Sequence, residues 1–547
     1  MTKTDSHLAR HAQVPGTWAC FSRAALVALA AAALLSPRAF LAQGAPRVPR
    51  AARSTPEPPP PIRREFRGVW VVSVANGDWP SRPGLPAWQQ QTELLAILDR
   101  AAALRLNAVV LQVRPAADAL YASPYEPWSE YLTGQMGRAP EPRWDPLAFA
   151  VAEAHRRGLE LHAWFNPYRA RHRSHVGDPA STHVSRTRPA LAREYGGYVW
   201  LDPGEAEVRR ATVRVLTDVA RRYDVDGIHI DDYFYPYPEI DSLTGQRLEF
   251  PDGASWERYR RGGGALARDD WRRRNVDLLI RELGDSIHAA KPWVKFGVSP
   301  FGIWRPGNPA QIKGFDAYAL LYADARGWLQ RGWVDYLTPQ LYWATTDTAH
   351  AYGALLDWWS AQNARGRHLW PGNNVGNVNA RAKAWPVAEV LEQIRLTRTA
   401  PGATGNVLFS MAPLLRNVAG LADSLGRGPY AEPALVPATP WLRGAPRAAA
   451  PAAARVSRDP VTGDLVLSIA TRAKARAPWL WTVRVLGADG AWRSEVLSGA
   501  MRTRVVGGAG EGVPERVVVT AVDRLGKESA PVDAAVVSRP AIRVRKE

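Results

Sequence analysis

The sequence predicts an α/β protein, a (β/α)8 TIM barrel followed by a C-terminal fibronectin type III-like β-sandwich, and three observations carry that reading. From Phe66 onward, short apolar runs rich in β-branched and aromatic residues alternate with amphipathic helical stretches, as repeated βα units on a parallel sheet require. Eight such runs can be counted. Beyond about Gly428 a Pro/Ala-rich bridge gives way to short alternating strands divided by turn signals.

Taken in chain order, the first element is a targeting segment. Arg23 precedes the apolar run 24–35, which is too short to span a bilayer, and small residues follow as far as Ala42 and Gly44. Residues 1–44 therefore read as a secretory signal peptide, and the expected location is exported, periplasmic or extracellular and associated with the cell envelope. Cleavage would remove Cys20, the only cysteine, and leave a mature chain without disulfides or a further segment of spanning length. Residues 45–64, rich in Pro, Arg and Ala, form a stiff linker.

The barrel is assigned to residues 65–428. Strands are expected at 67–74, 108–114, 159–165, 227–232, 295–299, 335–341, 368–373 and 406–410, with helices at 92–104, 146–157, 205–223, 270–290, 352–365 and 386–399. Long insertions, 116–143, 167–197 and 233–269, follow strands two, three and four. They lie at the C-terminal ends of the strands, the face on which barrel proteins carry their sites. A Pro/Ala-rich linker covers 429–454, and strands such as DLVLSIAT, WLWTVRVLG and ERVVVTAVD place the sandwich at 455–540.

Strand four and its continuation, residues 226–236, read DGIHIDDYFYP. Alternation of side chains points Ile228 and Ile230 outward and Gly227, His229 and Asp231 into the barrel, so Asp231 reaches the mouth. Asp232 is one step on, where the ending strand can turn its carboxylate over the same opening. Two carboxylates in one enclosed mouth cannot both stay ionised at little cost. One becomes a carboxylic acid beside a carboxylate, the pair that glycosidic cleavage uses. The competing reading gives one of them to loop orientation or to a cation.

The segments FRGVWVVSVANGDWP, LNAVVLQVRPAADALYASPYEPWSEYLTGQMG, HAWFNPYRAR, YVWLDPG and DGIHIDDYFYP resemble the glycosyl hydrolase-like 10 family, in order and over about residues 64–426. The resemblance implies a TIM barrel acting on bacterial polysaccharide, denuded peptidoglycan glycan strands included. The strand-four block is also similar to the α-amylase arrangement, with His229 and Asp231 in the matching places, and to the chitinase motif, except that Tyr233 stands where that motif has its acid. The regions KFGVSPFGIW and HLWPGNNVG bring no carboxylate to strands five and seven. The second catalytic carboxylate is then Asp232 or a loop residue, with Glu130 in PWSEYLTG the first candidate and Glu126 and Asp118 behind it.

Polar side chains expected at the strand ends would bind sugar hydroxyls: Gln112 and Arg114, Asn166, Tyr168 and Arg169, Ser299, Gln340 and Tyr342, Asn373 and Asn374, with Asp118 beside them. Among 23 tryptophans, Trp70, Trp79, Trp128, Trp164, Trp304 and Trp343 fall at or past strand ends, where an indole face suits a sugar ring; Trp358, Trp359 and Trp481 read as core. His229 belongs with the groups around the substrate and, like His162, reads as a supporting residue and not a metal ligand. The phosphate-cradling loop, the HExxH zinc signature, cysteine metal sites and the GxSxG elbow are missing, so neither a cofactor nor a metal is expected.

The net charge of +18 is spread as scattered arginines without a basic arm, which favours polyanions in general and does not mark a nucleic-acid binder. A monomer acting on cell-wall glycan is the expected state. Two alternatives remain at this level: a non-catalytic glycan-binding protein, and a metal-assisted hydrolase of another polymer with the aspartates as cation ligands.

Overall fold

The computed structural model describes residues 57–175, 177–379, 384–472 and 476–536. The expected signal peptide, most of the first linker and the last residues assigned to the sandwich lie outside them. Among the described residues no helix is long and apolar enough to cross a membrane.

Eight parallel strands form the barrel: β1 (Phe66–Val71), β2 (Ala108–Arg114), β3 (Glu160–Phe165), β4 (Gly227–Ile230), β5 (Lys295–Val298), β6 (Tyr336–Leu337), β7 in two pieces (His368–Leu369 and Gly372–Asn374) and β8 (Gly405–Phe409). The break in β7 is what closes the ring. Its first piece pairs with β6, while its second pairs with β8, which pairs in turn with β1. A bridge from Gln340 to Gly372 spans the remaining gap. Pro371 stands at the break, and a proline has no N–H to give to a ladder.

Each strand is followed by a helix: α1 (Ala87–Ala103), α2 (Pro146–Arg156), α3 (Ala206–Arg222), α4 (Arg268–Ala290), α5 (Ala325–Arg331), α6 (Tyr352–Gln362), α7 (Val387–Thr399) and α8 (Leu421–Arg427). The caps follow local chemistry. Asp145 accepts from the Ala148 N–H ahead of α2, with Pro146 at the first helical position, and Asp324 accepts from the Gly327 N–H ahead of α5. Because helices cover the barrel's outer face, strands β1 to β5 are buried at every position.

Two apolar layers result. Ile228 and Ile230 join the large outer core between sheet and helices. Phe66, Trp70, Ala108, Val110, Trp164, Tyr336, Trp370 and Val407 fill the barrel itself. The Phe66 and Trp370 rings stack 3.6 Å apart, and Gly297 leaves room for the Tyr336 ring, which lies 2.0 Å from where a β-carbon would stand. The barrel centre is thus a plug of aromatic rings with its open end at the strand C-termini.

Eight further strands make two four-stranded sheets: β9 (Ala453–Arg458), β10 (Leu465–Ala470), β11 (Leu480–Leu486), β12 (Trp492–Ser498), β13 (Thr503–Gly507), β14 (Arg516–Val522), β15 (Val532–Asp533) and β16 (Ala535–Val536). The orders are β13-β10-β9-β16 and β12-β11-β14-β15. Leu465, Leu467 and Ile469 alternate inward along β10 and meet Trp481, Val483 and Val519 of the other sheet. From Pro58 onward the described residues form one compact unit. At the junction, β11, β12 and the turn after β14 meet the N-terminal end of the barrel: Arg524 binds Asp224 and Asp226, and the Ser498 hydroxyl donates to the His155 carbonyl.

Candidate active site

The end of β4 delivers both aspartates to the mouth, and burial leaves each of them about 3% exposed. Asp231 is anchored through one oxygen only. Trp164 Nε1 donates to Asp231 Oδ2 at 3.1 Å, and Asn166 Nδ2 donates to the same atom. Oδ1 is buried and has no hydrogen-bonding partner among the described residues.

The orientation of Asn166 is forced. Its Oδ1 accepts from Gln112 Nε2 (2.6 Å) and Arg169 Nη2 (2.7 Å), so the amide nitrogen must face Asp231. Gln112 is fixed by the same logic, because its Oε1 accepts from the Ser73 and Val74 N–H groups. Arg169 donates to the Pro115 carbonyl and lies 5.0 Å over the Tyr233 ring. Three strand ends are thereby coupled to one carboxylate.

Asp232 takes a different set of donors. The Tyr237 hydroxyl donates to its Oδ2, and the Gln340 side chain, which also donates to the Ser299 carbonyl at 3.0 Å, lies beside it. Burial raises the affinity of both carboxyls for a proton. Asp231 is pushed up to about 7, by burial first and by the Asp232 charge second, against the lowering pull of Arg169. Asp232 is raised by burial as well, held back by Tyr237 and Gln340.

Beneath the pair, His229 is neutral, since burial drives its pKa well below the usual value. Its tautomer follows from its neighbours. Trp70 Nε1 has only a proton to give, and it faces His229 Nε2 at 3.2 Å, so Nδ1 carries the hydrogen toward the Tyr336 hydroxyl at 3.1 Å. Tyr336 then donates to His162 Nδ1 (2.8 Å), and His162 Nε2 faces Glu160, the partner of Lys295. Ser299 Oγ completes the cluster, 3.0 Å from His229 Nε2.

Aromatic rings wall the mouth. Tyr342 stacks on Phe409 at 5.7 Å, Phe409 meets Trp70 at 5.9 Å, and Trp343 lies against Phe301 and His350. On the other side Trp200 stacks on Tyr233, and Tyr237 packs against Phe315. Trp128 is half-buried against the outer core.

Several expected substrate contacts are corrected by these positions. Tyr168 faces the helix layer, where Arg209, Glu282 and Asp202 are the charges that act on it, because it follows the bend that ends β3. Asn373 also points outward, to Tyr352, Gln393 and Asn406. Arg114 is taken up by Glu126 and the Asn166 carbonyl, and Asp118 accepts from the Ala116 N–H through Oδ1. Glu130 caps no mouth group: its Oε1 pairs with His175 Nδ1 at 2.7 Å and joins two insertions. Trp79 is core, donating to the Gln90 carbonyl, and Trp304 stacks on Trp358. Tyr237, Phe301, Phe315 and Phe409 were missed in the sequence, although the run YFYPYP directly after Asp232 signals an aromatic loop there.

A closed parallel barrel with buried carboxylates and aromatic walls at the strand C-termini is the architecture in which (β/α)8 proteins place their chemistry. Residues 65–387 match the family Glycosyl hydrolase-like 10, and the chain belongs to that family. It is 43% identical to Glycosyl hydrolase YngK of Bacillus subtilis over 69% of this chain and 74% of the relative. It is 36% identical to Glycosyl hydrolase DigH of Escherichia coli K12, over 63% of this chain and 82% of the relative. Among solved structures, the PgaB (BpsB) glycoside hydrolase domain of Bordetella bronchiseptica aligns with a TM-score of 0.43 at 13% identity, covering 67% of this chain and 98% of that one.

Proposed function

We propose that the protein is a glycoside hydrolase that cleaves glycosidic bonds in a bacterial cell-envelope polysaccharide, denuded peptidoglycan glycan strands being the substrate to test first. The observation that carries the reading is the unequal pair at the mouth: Asp231 holds its proton up to about pH 7 and keeps Oδ1 free, while Asp232 is steadied by Tyr237. Asp231 is the proton donor to the glycosidic oxygen, and Asp232 stabilises positive charge as the bond breaks. Membership of the family and the names of its relatives support the activity.

Trp70, Tyr342, Trp343 and Gln340 belong to the wall that a sugar would meet, and Gln112, Asn166, Arg169, His229 and Ser299 hold that wall and the acid in place. The exported location expected from the N-terminal sequence fits such a substrate. The test is the release of reducing ends from purified glycan strands stripped of stem peptides. The wild-type protein should release them and the Asp231→Asn protein should not; binding to strands without new ends would overturn the reading.

A further inference from the structure

We propose that this site acts on sugars carrying a 2-acetamido group, whose own carbonyl oxygen supplies the nucleophile. The inference rests on the glycosidase reading above and deepens it.

Its starting point is the direction from which the carboxylates arrive. A glycosidase with two protein carboxylates places them on opposite sides of the scissile bond, about 5 to 5.5 Å apart for retention or 6.5 to 9.5 Å for inversion. Here both come from consecutive residues at one strand end, so they approach a bound sugar from one wall of the mouth. The opposite side needs a third carboxylate. Six acidic side chains of the surrounding loops are each held through at least one oxygen by other groups. Asp78 accepts from the Val72 and Ala412 N–H groups and from Ser410, and Glu126 is bound by Arg114. Glu130 is paired with His175, Asp118 with the Ala116 N–H, Asp324 with the Gly327 N–H and Trp304, and Glu389 with Thr345 and Gln393. The ends of β5 and β7 offer Ser299 and Asn374 in place of acids.

What the mouth does offer is a setting for an amide. Asp231 Oδ1 is a buried polar atom without a partner among the described residues, and Asp232 stands beside it with the Tyr237 hydroxyl on its Oδ2. Next to them the rings of Tyr342, Phe409 and Trp70 close an apolar corner, at the edge of which a β-carbon on Gly372 would lie 3.0 Å from the Trp70 ring and 3.4 Å from that of Tyr342. A methyl group belongs in such a corner and an N–H against the carboxylate, which is the make-up of an acetamide.

The bonds balance in two steps. Asp231 gives its proton to the glycosidic oxygen as the bond from that oxygen to C1 breaks, while the acetamido oxygen bonds to C1 and closes a five-membered oxazolinium ring. Asp232 accepts a hydrogen bond from the ring N–H and offsets its charge. A water then attacks C1 and passes a proton back to Asp231, the ring C1–O bond breaks, and the acetamide is restored. Two inversions at C1 leave the anomeric configuration retained.

The experiment uses denuded glycan strands and N-acetylated hexosamine oligomers whose acetyl groups are replaced by mono-, di- and trifluoroacetyl, together with the N-deacetylated polymer. Fluorine drains electron density from the attacking oxygen, so kcat/KM should fall by roughly tenfold or more across the series, and the free amine should resist cleavage. The first-formed product should carry the substrate's anomeric configuration, and Asp232→Asn should lose about 10² to 10⁴ in kcat while Tyr237→Phe loses less. Equal rates across the fluorinated series, cleavage of the free amine, or an inverted product would overturn the acetamide mechanism and leave the glycosidase intact. Failure to cleave even the fully acetylated strands would overturn both.

Discussion

At Asp231 one oxygen is held by an indole and an amide, the other has no hydrogen-bonding partner among the described residues, and burial together with the neighbouring Asp232 charge sets its titration. The folded carboxyl binds its proton up to about pH 7, whereas an unfolded one releases it near 3.8. Between those limits the folded chain holds more protons than the unfolded chain, so this residue's contribution to stability declines as pH rises through the window. Asp231→Asn should therefore melt higher than the wild type at pH 8, by on the order of a few kcal/mol at most, and show little difference at pH 3.5. The same ionisation should give wild-type kcat/KM a falling limb near pH 7, and Asp231→Asn should lower activity by about 10² to 10⁴. Calorimetry at the two pH values and a pH-rate profile check both. The pair itself was legible in the sequence, because alternation along GIHIDD fixes which residues face inward. The division of labour was not, since it depends on Trp164, Asn166 and Tyr237, which a linear reading cannot place around one carboxylate.

Among the elements, β4 is the simplest to read and β7 the hardest. Strand β4 is a run of four residues with glycine and histidine inward and isoleucines outward. Strand β7 is divided at Trp370 and Pro371, and the division shifts which side chains face in. That is why Asn373, expected to bind sugar, turns to the helix layer and joins Tyr352, Gln393 and Asn406. Asn373→Ala should leave KM unchanged and cost about 1 to 3 kcal/mol of stability, since it strips partners from buried amides. A denaturant midpoint that did not move, with a raised KM, would restore the residue to the site. Helices α5 and α8 escaped the sequence reading because seven residues give too few turns for a periodic pattern to stand out.

For the whole molecule, the sandwich and the barrel share an ion cluster built on the buried Asp226. Arg524, in the turn after β14, reaches Asp226 with Nη1 and Asp224 with Nη2, both at 2.5 Å, and His155 meets Asp226 from α2 at 2.9 Å. The Arg524 charge, with that of His155, outweighs burial and holds the Asp226 carboxyl below the usual range. Its stabilising effect is therefore present above the unfolded value near 3.8 and lost as pH falls through the folded one. Arg524→Ala should destabilise the protein by about 3 to 5 kcal/mol at pH 7, because it strands a buried carboxylate, and by less at pH 3, as urea unfolding at the two pH values would show. A change confined to melting of the sandwich, with the barrel unaffected, would show that the contact is peripheral.

Asp226 is the residue immediately before Gly227, so the arginine's grip falls on the root of the same strand whose tip carries the two acids. A distal module thus holds the lower end of the lever that presents the two aspartates. Grafting a different module behind this barrel would change more than the barrel's tether: without an arginine supplied from outside, the strand would begin at an anion with the His155 ring as its remaining close side-chain partner, and the tip would inherit whatever slack that leaves.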